Sequence, residues 1–226
     1  MSTTAIRVGH DATHPVRVDV APSTDQRDRL TVAFRPILAI PHLLLVGGPL
    51  GVAGWAVLRD DGGSPVSPGL GGGALGGAAA AIAVVAWFAI LFTGTYPRGL
   101  RNLLLLYVRW RVRAVAYLTL LCDEYPPFGE GRYPASLTFD EPDAPRNRLS
   151  VALRVVLVLP HLLALWVLGA VWAVSTVAAW VMILLTGRMP LALRRFGAAM
   201  LGWSTRVEAY LLLLHDAYPP FALELP

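Results

Sequence analysis

At 226 residues, with 55% hydrophobic and only 15% charged residues and a mean hydropathy of +0.56, the chain excludes an ordinary soluble domain, where about 25% of residues are charged. All 19 basic residues are arginine, against 15 acids, for a net charge of +4. They cluster beside apolar runs, which selects a membrane surface over nucleic acid.

In chain order, residues 1–28 form a polar segment without the apolar core of a signal peptide, so insertion is expected to depend on the first internal span. Met1 to Thr13 reads as a disordered lead. From His14 to Val20 apolar and polar residues alternate with period two, the pattern of a short half-exposed strand. The same element returns as Tyr133 to Phe139, 119 positions later, inside a polar linker at 129–147. Phe221 to Leu225 alternates too, and a small surface sheet built from these pieces is expected.

The rest of the chain is a duplication, with membrane repeats at 29–128 and 148–226. Arg35 to Leu44 returns as Arg154 to Leu163 at an offset of 119, and Leu100 to Phe128 returns as Leu193 to Phe221 at an offset of 93. Many coincidences at one offset mark a true internal repeat. The drop between offsets gives the first copy 26 extra residues, between Leu43 and Ala78. Insertions are tolerated in exposed loops and not within a bilayer span. Each copy is therefore expected to hold a transmembrane helical hairpin, with its tip near Arg59 to Gly77 in the first and near Leu168-Gly169-Ala170 in the second. Val151 to Gly187 just accommodates two short legs of about 17 residues. The alternative is an interfacial helix broken at Pro160 and followed by one long tilted span. Trp87, Thr93, Gly94 and Pro97 end the block in the first copy, and Trp180, Thr186, Gly187 and Pro190 end it in the second. Gly followed by Pro is a helix stop.

On a helical wheel Arg98, Arg101, Asn102, Arg109 and Arg113 share one side. Trp110 and Tyr117 border them, leucines fill the rest, and Arg111 alone falls on the far side. This is the pattern of an amphipathic helix lying in the headgroup plane against anionic lipid. Arg194, Arg195, Trp203, Arg206 and Tyr210 repeat it more weakly. The alternative, a spanning helix, would strand arginines at mid-depth at about 2.5–3.5 kcal/mol each.

Other residues stand out by their place in the repeat. Arg35 and His42, like Arg154 and His161, lie two helical turns apart inside apolar segments, a candidate polar intramembrane site. Snorkelling by the arginines and bonds from the histidines to carbonyls freed by proline explain them equally well. Asp123 and Asp216 are candidate ion-pair partners. Tyr125, Phe128, Tyr218 and Phe221, in the two Tyr-Pro-Pro-Phe turns, are candidate partner contacts. The lone Cys122 permits no intramolecular disulfide and reads as a small apolar helix residue.

The repeated Arg-x5-Pro-His segment, the Trp-x5-Thr-Gly-x-x-Pro turn and the Asp-x-Tyr-Pro-Pro-Phe ending resemble a bacterial membrane-protein family known only as domain of unknown function four-three-eight-nine, over about Arg29 to Phe221. The resemblance implies membrane residence and no activity.

The fold class expected is mainly α: an integral membrane protein of two tandem repeats, each with a short surface strand, a transmembrane hairpin and an amphipathic interfacial helix. Both repeats should face the same way, in a multi-pass protein of the cell membrane with cytoplasmic termini. No Gly-x-Ser-x-Gly or His-Glu-x-x-His occurs, and the Gly69 to Gly77 tract lacks the Gly-Lys-Ser/Thr of a phosphate loop, so no catalytic residue, metal or cofactor is expected. Two functions remain: a non-enzymatic module that organises anionic lipid or a partner, another copy included, or a carrier with a site between the repeats lined by Arg35, His42, Arg154 and His161.

Overall fold

A computed structural model of the chain describes residues 6–8, 14–21, 26–49, 73–128, 131–140, 146–221 and 223. Of the expected hairpin tip of the first copy, residues 59–72 lie outside them, while Gly73 to Gly77 are helical; most of the Phe221 to Leu225 alternation lies outside them too.

Helix α1, Arg29–Leu38, starts at Asp28, whose side chain accepts the Leu30 N–H, and α2, Ile40–Val46, follows. Pro36 and Pro41 remove backbone donors here, yet Ala39 between them keeps helical angles of −79° and −15°. Next come α3, Gly73–Thr93, and α4, Arg98–Leu118. In the second copy α5, Arg148–Thr186, is capped by Asn147, and α6 spans Leu191–Leu211. A strand at Ile6–Val8 (β1) pairs antiparallel with Val16–Val20 (β2), which pairs antiparallel with Ala135–Phe139 (β3). The expected disordered lead thus contributes an edge strand, too short to show a period of its own.

The expected hairpin is not formed in the second copy. There α5 is one helix of 39 residues, roughly 58 Å at 1.5 Å per residue. Leu168-Gly169-Ala170 carries no proline or polar turn, and one glycine costs a helix only about 1 kcal/mol. Pro160 does not break the helix either; it lies on the exposed face. In repeat register Val46 matches Leu165 and Gly73 matches Trp166, so the 26 extra residues fall between positions that adjoin in α5. The start of α3 abuts the end of α2: a Cβ on Gly73 would lie 2.5 Å from the Leu45 carbonyl, and φ there is +68°. Glycine is required on both counts.

The two copies are related by a pseudo-two-fold axis. Trp87 Nε1 donates to the Val151 carbonyl at 2.9 Å, and its counterpart Trp180 donates to Val32, the counterpart of Val151, also at 2.9 Å. Such reciprocity defines an isologous contact. In the sheet Val18 lies opposite Leu137, its own repeat equivalent, so the axis passes between them, perpendicular to the sheet. The exchanged tryptophan contacts also fix the helices. A two-fold rotation reverses only directions perpendicular to itself, and Val32-to-Trp87 runs opposite to Val151-to-Trp180. The long helices therefore lie across the axis, parallel to the sheet.

Three layers result. Val16, Val18, Val20 and Ala135 point inward from the sheet and are buried. Beneath them lie α4 and α6, the latter buried continuously from Gly197 to Tyr210. The third layer is α1, α2 and α3 beside α5. In α5 one stripe faces inward, including Val151, Arg154, Val158, His161, Leu165 and Trp172, while Val155, Leu159, Leu163, Val174 and Leu185 are exposed. The stretches 29–46, 73–93 and 148–186 are each long and apolar enough to cross a membrane.

Candidate functional site

The sharpest geometry surrounds the ends of α4 and α6. Leu120 adopts a left-handed φ of 63°, as does Leu213. Leu121 N–H reaches back to the Ala116 carbonyl and Leu214 N–H to Ala209, both at 2.9 Å, closing each helix with a Schellman turn. Arginines from α1 and α5 cap the remaining carbonyls. Arg35 Nη1 donates to Cys122 O at 2.9 Å and to Tyr117 O at 3.3 Å, and its Nη2 lies 3.0 Å from Asp123 Oδ1. Arg154 does the same to His215 O at 2.8 Å, Tyr210 O at 3.2 Å and Asp216 Oδ1 at 2.6 Å. A second arginine joins each carboxylate, Arg27 at 3.1 Å from Asp123 and Arg146 at 2.9 Å from Asp216. The guanidinium groups of Arg35 and Arg154 also sit over the rings of Tyr117 and Tyr210, at 4.6 and 4.3 Å. Burial pulls the Asp216 carboxyl upward, but hydrogen bonds and charge from Arg154 and Arg146 outweigh it and hold the group below its ordinary range. Positive charge at a helix C-terminus is favoured, and both arginines are engaged there through both terminal nitrogens.

The histidines sit elsewhere, each under its own Tyr-Pro-Pro-Phe turn. His42 Nδ1 accepts from Trp110 Nε1 at 3.1 Å, Phe128 stacks on its ring at 4.6 Å, and Tyr125 leans in at 5.0 Å. His161 is enclosed by Phe221 at 3.8 Å, Tyr218 at 4.9 Å and Trp203 at 6.0 Å. The outer sides of Tyr125, Phe128, Tyr218 and Phe221 remain exposed. Arg35, His42, Arg154 and His161 are thus distributed over separate arginine caps and histidine boxes, one of each per copy.

The amphipathic stripe is covered by protein. Arg98 and Arg195 are exposed, but Arg101 lies over the Phe139 ring at 5.6 Å, and Arg109, Trp110 and Arg113 line a recess of about 280 Å³ beside Ser136 and Leu137. Arg194 Nη2 reaches Ala21 O at 3.5 Å. Tyr117, Trp203, Arg206 and Tyr210, expected at the membrane interface, are buried. A basic stripe over a leucine face looks the same in sequence whether a headgroup layer or a β-sheet covers it.

Sequence reasoning missed a buried pair between α4 and α6. Arg111 Nη1 donates to Glu208 Oε2 at 2.7 Å and its Nη2 to Gly48 O at 2.9 Å. Burial pushes the Glu208 carboxyl up, against the pull of Arg111 and a hydrogen bond from Tyr107; burial also raises the Tyr107 phenol. The repeat counterparts are Ser204, Val115 and Met200, so this cluster belongs to one side only. Its signal was Arg111 alone on the far side of the wheel, with Glu208 standing where the repeat has valine.

Next to it lies a cavity of about 430 Å³ between α3, α5 and α6, lined by Gly76, Ala79, Ala83, Trp87, Val155 and Leu212, with Tyr107, Arg154 and Glu208 on its wall. Ala79 is the counterpart of Trp172, which is buried with its indole 3.4 Å from a Cβ built on Gly197. The second copy thus carries an indole where the first carries a methyl group on the cavity wall. Among the described residues no cluster of His, Cys, Asp and Glu is assembled to hold a metal. Burial, with the charge of Asp123, pushes the Cys122 thiol up to about 12, far from a reactive thiolate.

No curated protein and no solved structure matches the chain. A family profile matches residues 72–129 and 148–222, one segment in each copy and together more than half the chain. The repeated tryptophan turn, both capped helix ends and the Tyr-Pro-Pro-Phe cover fall within those segments, while the capping Arg35 precedes the first, and the chain belongs to the family described as Domain of unknown function (DUF4389).

Proposed function

We propose that the protein is a non-enzymatic module seated in the cytoplasmic leaflet of the cell membrane, where it organises lipid. The observation that carries this reading is the direction of the pseudo-two-fold axis, perpendicular to the sheet and across the long helices. If the axis lay in the membrane plane, the sheet would stand at mid-bilayer. Arg17, Asp19 and Asp140 would then face hydrocarbon at about 2.5–3.5 kcal/mol each, and the sheet edge would lack partners. An axis along the membrane normal removes both costs. The sheet then meets water, and α4 and α6 lie at headgroup depth, where Arg98 and Arg195 are exposed. The exposed faces of α1, α3 and α5 enter the acyl region. Both repeats face one way, and each long helix has its ends at equal depth. A helix of roughly 58 Å is better accommodated lying in a leaflet than crossing a hydrocarbon core about 30 Å thick. Arginines near an anionic cytoplasmic surface add on the order of 1 kcal/mol each. This reading replaces multi-pass hairpins with a one-sided seat. The carrier alternative loses support, because Arg35 and Arg154 are held by Asp123 and Asp216 of their own copies.

The test is single-cysteine labelling in a Cys122→Ala background with a membrane-impermeant maleimide. Ser136→Cys and Arg59→Cys should react in inside-out vesicles and stay silent in intact cells. Reaction of Arg59→Cys from outside would establish a crossing and end the leaflet reading.

A further inference from the structure

We infer that the cavity between α3, α5 and α6 holds one hydrocarbon chain of a membrane phospholipid. The inference rests on the leaflet reading, because it takes the outward faces of α3 and α5 to be in contact with lipid. Val84, Phe88 and Val155 bound the cavity and are 55%, 49% and 61% exposed, so it opens through the apolar layer. Its volume of about 430 Å³ falls in the range of small-molecule sites, roughly 300–1,000 Å³. The chemistry of its wall selects the occupant. Glu208 is bonded to Arg111 at 2.7 Å, Tyr107 is hydrogen-bonded to Glu208, and Arg154 is bonded to Asp216 at 2.6 Å. The polar side chains are already engaged within the protein, and every other residue on the wall is apolar. A headgroup entering the cavity would lose its hydration without replacement, whereas an acyl chain exchanges one apolar environment for another and fills space that close packing disfavours leaving empty.

The repeat supplies the second argument. In repeat register Trp172, 1% exposed, stands where the first copy has Ala79 on the cavity wall. On the open side a Cβ at Gly76 would crowd the Tyr107 hydroxyl, at 3.1 Å. The symmetry-related place thus differs at three wall positions of this cavity, with Trp172 for Ala79, Met200 for Tyr107 and Val115 for Glu208.

The experiment uses the full chain in nanodiscs of one defined phospholipid, extracted into mild detergent and weighed by native mass spectrometry. Wild type should retain one phospholipid per protein. Ala79→Trp, which copies the second repeat, should lower that occupancy at least tenfold. Trp172→Ala, which opens the counterpart, should raise the number bound to two. Ala83→Leu narrows the same cavity with less bulk and should also lower occupancy if Ala79→Trp does not fold. Unchanged phospholipid occupancy in the folded cavity-filling variant overturns the proposal, as does a Trp172→Ala protein that gains nothing. A mass shift matching free fatty acid instead of phospholipid overturns the assigned source. Labelling of Arg59→Cys from outside, with lipid retention still lost in Ala79→Trp, would remove the leaflet seat and leave the cavity standing. The reverse result would remove the cavity alone.

Discussion

Replacing Arg111 with methionine separates structural from electrostatic effects at the heart of the molecule. Its guanidinium and the Glu208 carboxylate are 3% and 8% exposed and 2.7 Å apart. Removing one partner of such a pair leaves an uncompensated buried charge, at about 3–5 kcal/mol. For a chain of this size that corresponds to a drop in unfolding temperature of about 6–20 °C. Removing both partners is different, because apolar replacements of similar volume are often neutral or stabilising. The double variant Arg111→Met with Glu208→Leu should therefore lie much closer to wild type than Arg111→Met alone. A sign in pH distinguishes this account from simple loss of packing. Burial already raises the Glu208 carboxyl, with Arg111 opposing, and without Arg111 it must rise further. A carboxyl raised in the folded state stabilises that state fully below its unfolded value and loses the contribution as pH climbs through its folded value. Tryptophan-detected melts in detergent should show Arg111→Met falling further behind the double variant from about pH 5 to about pH 8. A single variant as stable as the double, or a gap that closes as pH rises, would refute the reasoning.

Other outcomes follow from the same geometry. Burial, then the charges of His14 and Arg154, press the His215 imidazole down to about 3. The unfolded chain takes up this proton first, so stability should decline as pH falls below about 6.5, by about 2 kcal/mol at pH 5. His215→Cys, which copies Cys122 of the first repeat, should flatten that decline in pH-dependent melts. Trp180→Phe leaves the Val32 carbonyl without a donor, because Pro36 has no N–H to offer it, and should cost about 1–3 kcal/mol. Trp87→Phe should cost less, because Val151 lies inside the α5 ladder where Val155 has an N–H, and a Trp87→Phe melt as low as that of Trp180→Phe would contradict this. Leu120→Gly removes about 1–2 kcal/mol of left-handed strain but forfeits a buried leucine worth about 1.5–3 kcal/mol and adds backbone entropy of about 0.5–1 kcal/mol. Urea or thermal unfolding should therefore show net destabilisation.

What the sequence displays and what it hides follow from the range of each interaction. The duplication is legible because Trp110, Arg113, Tyr117 and Asp123 recur together at one offset. The structure joins Arg35 to Asp123 and Arg154 to Asp216, residues related by charge and by repeat position. The Arg111–Glu208 pair was hidden, since its members lie 97 positions apart and have no counterpart in the repeat to draw attention to them. The continuous α5 was misread for another reason. The 26 extra residues of the first copy are read as the tip of a hairpin present in both copies, yet α5 runs through the matching position without a turn. Hydropathy reports only that a surface avoids water. It does not distinguish Trp203, covered by protein, from Val174, which is exposed.

The reciprocal contacts of Trp87 with Val151 and Trp180 with Val32 carry one more implication. Contacts of that kind are what two separate identical chains make across a symmetric dimer, and here one chain supplies both sides. A short linker makes such an encounter intramolecular, at an effective concentration in the millimolar range. Assembly of the copies therefore does not depend on identical halves, and a side chain that a homodimer would have to carry twice can be carried once. Alanine stands at position 79 where tryptophan stands at 172.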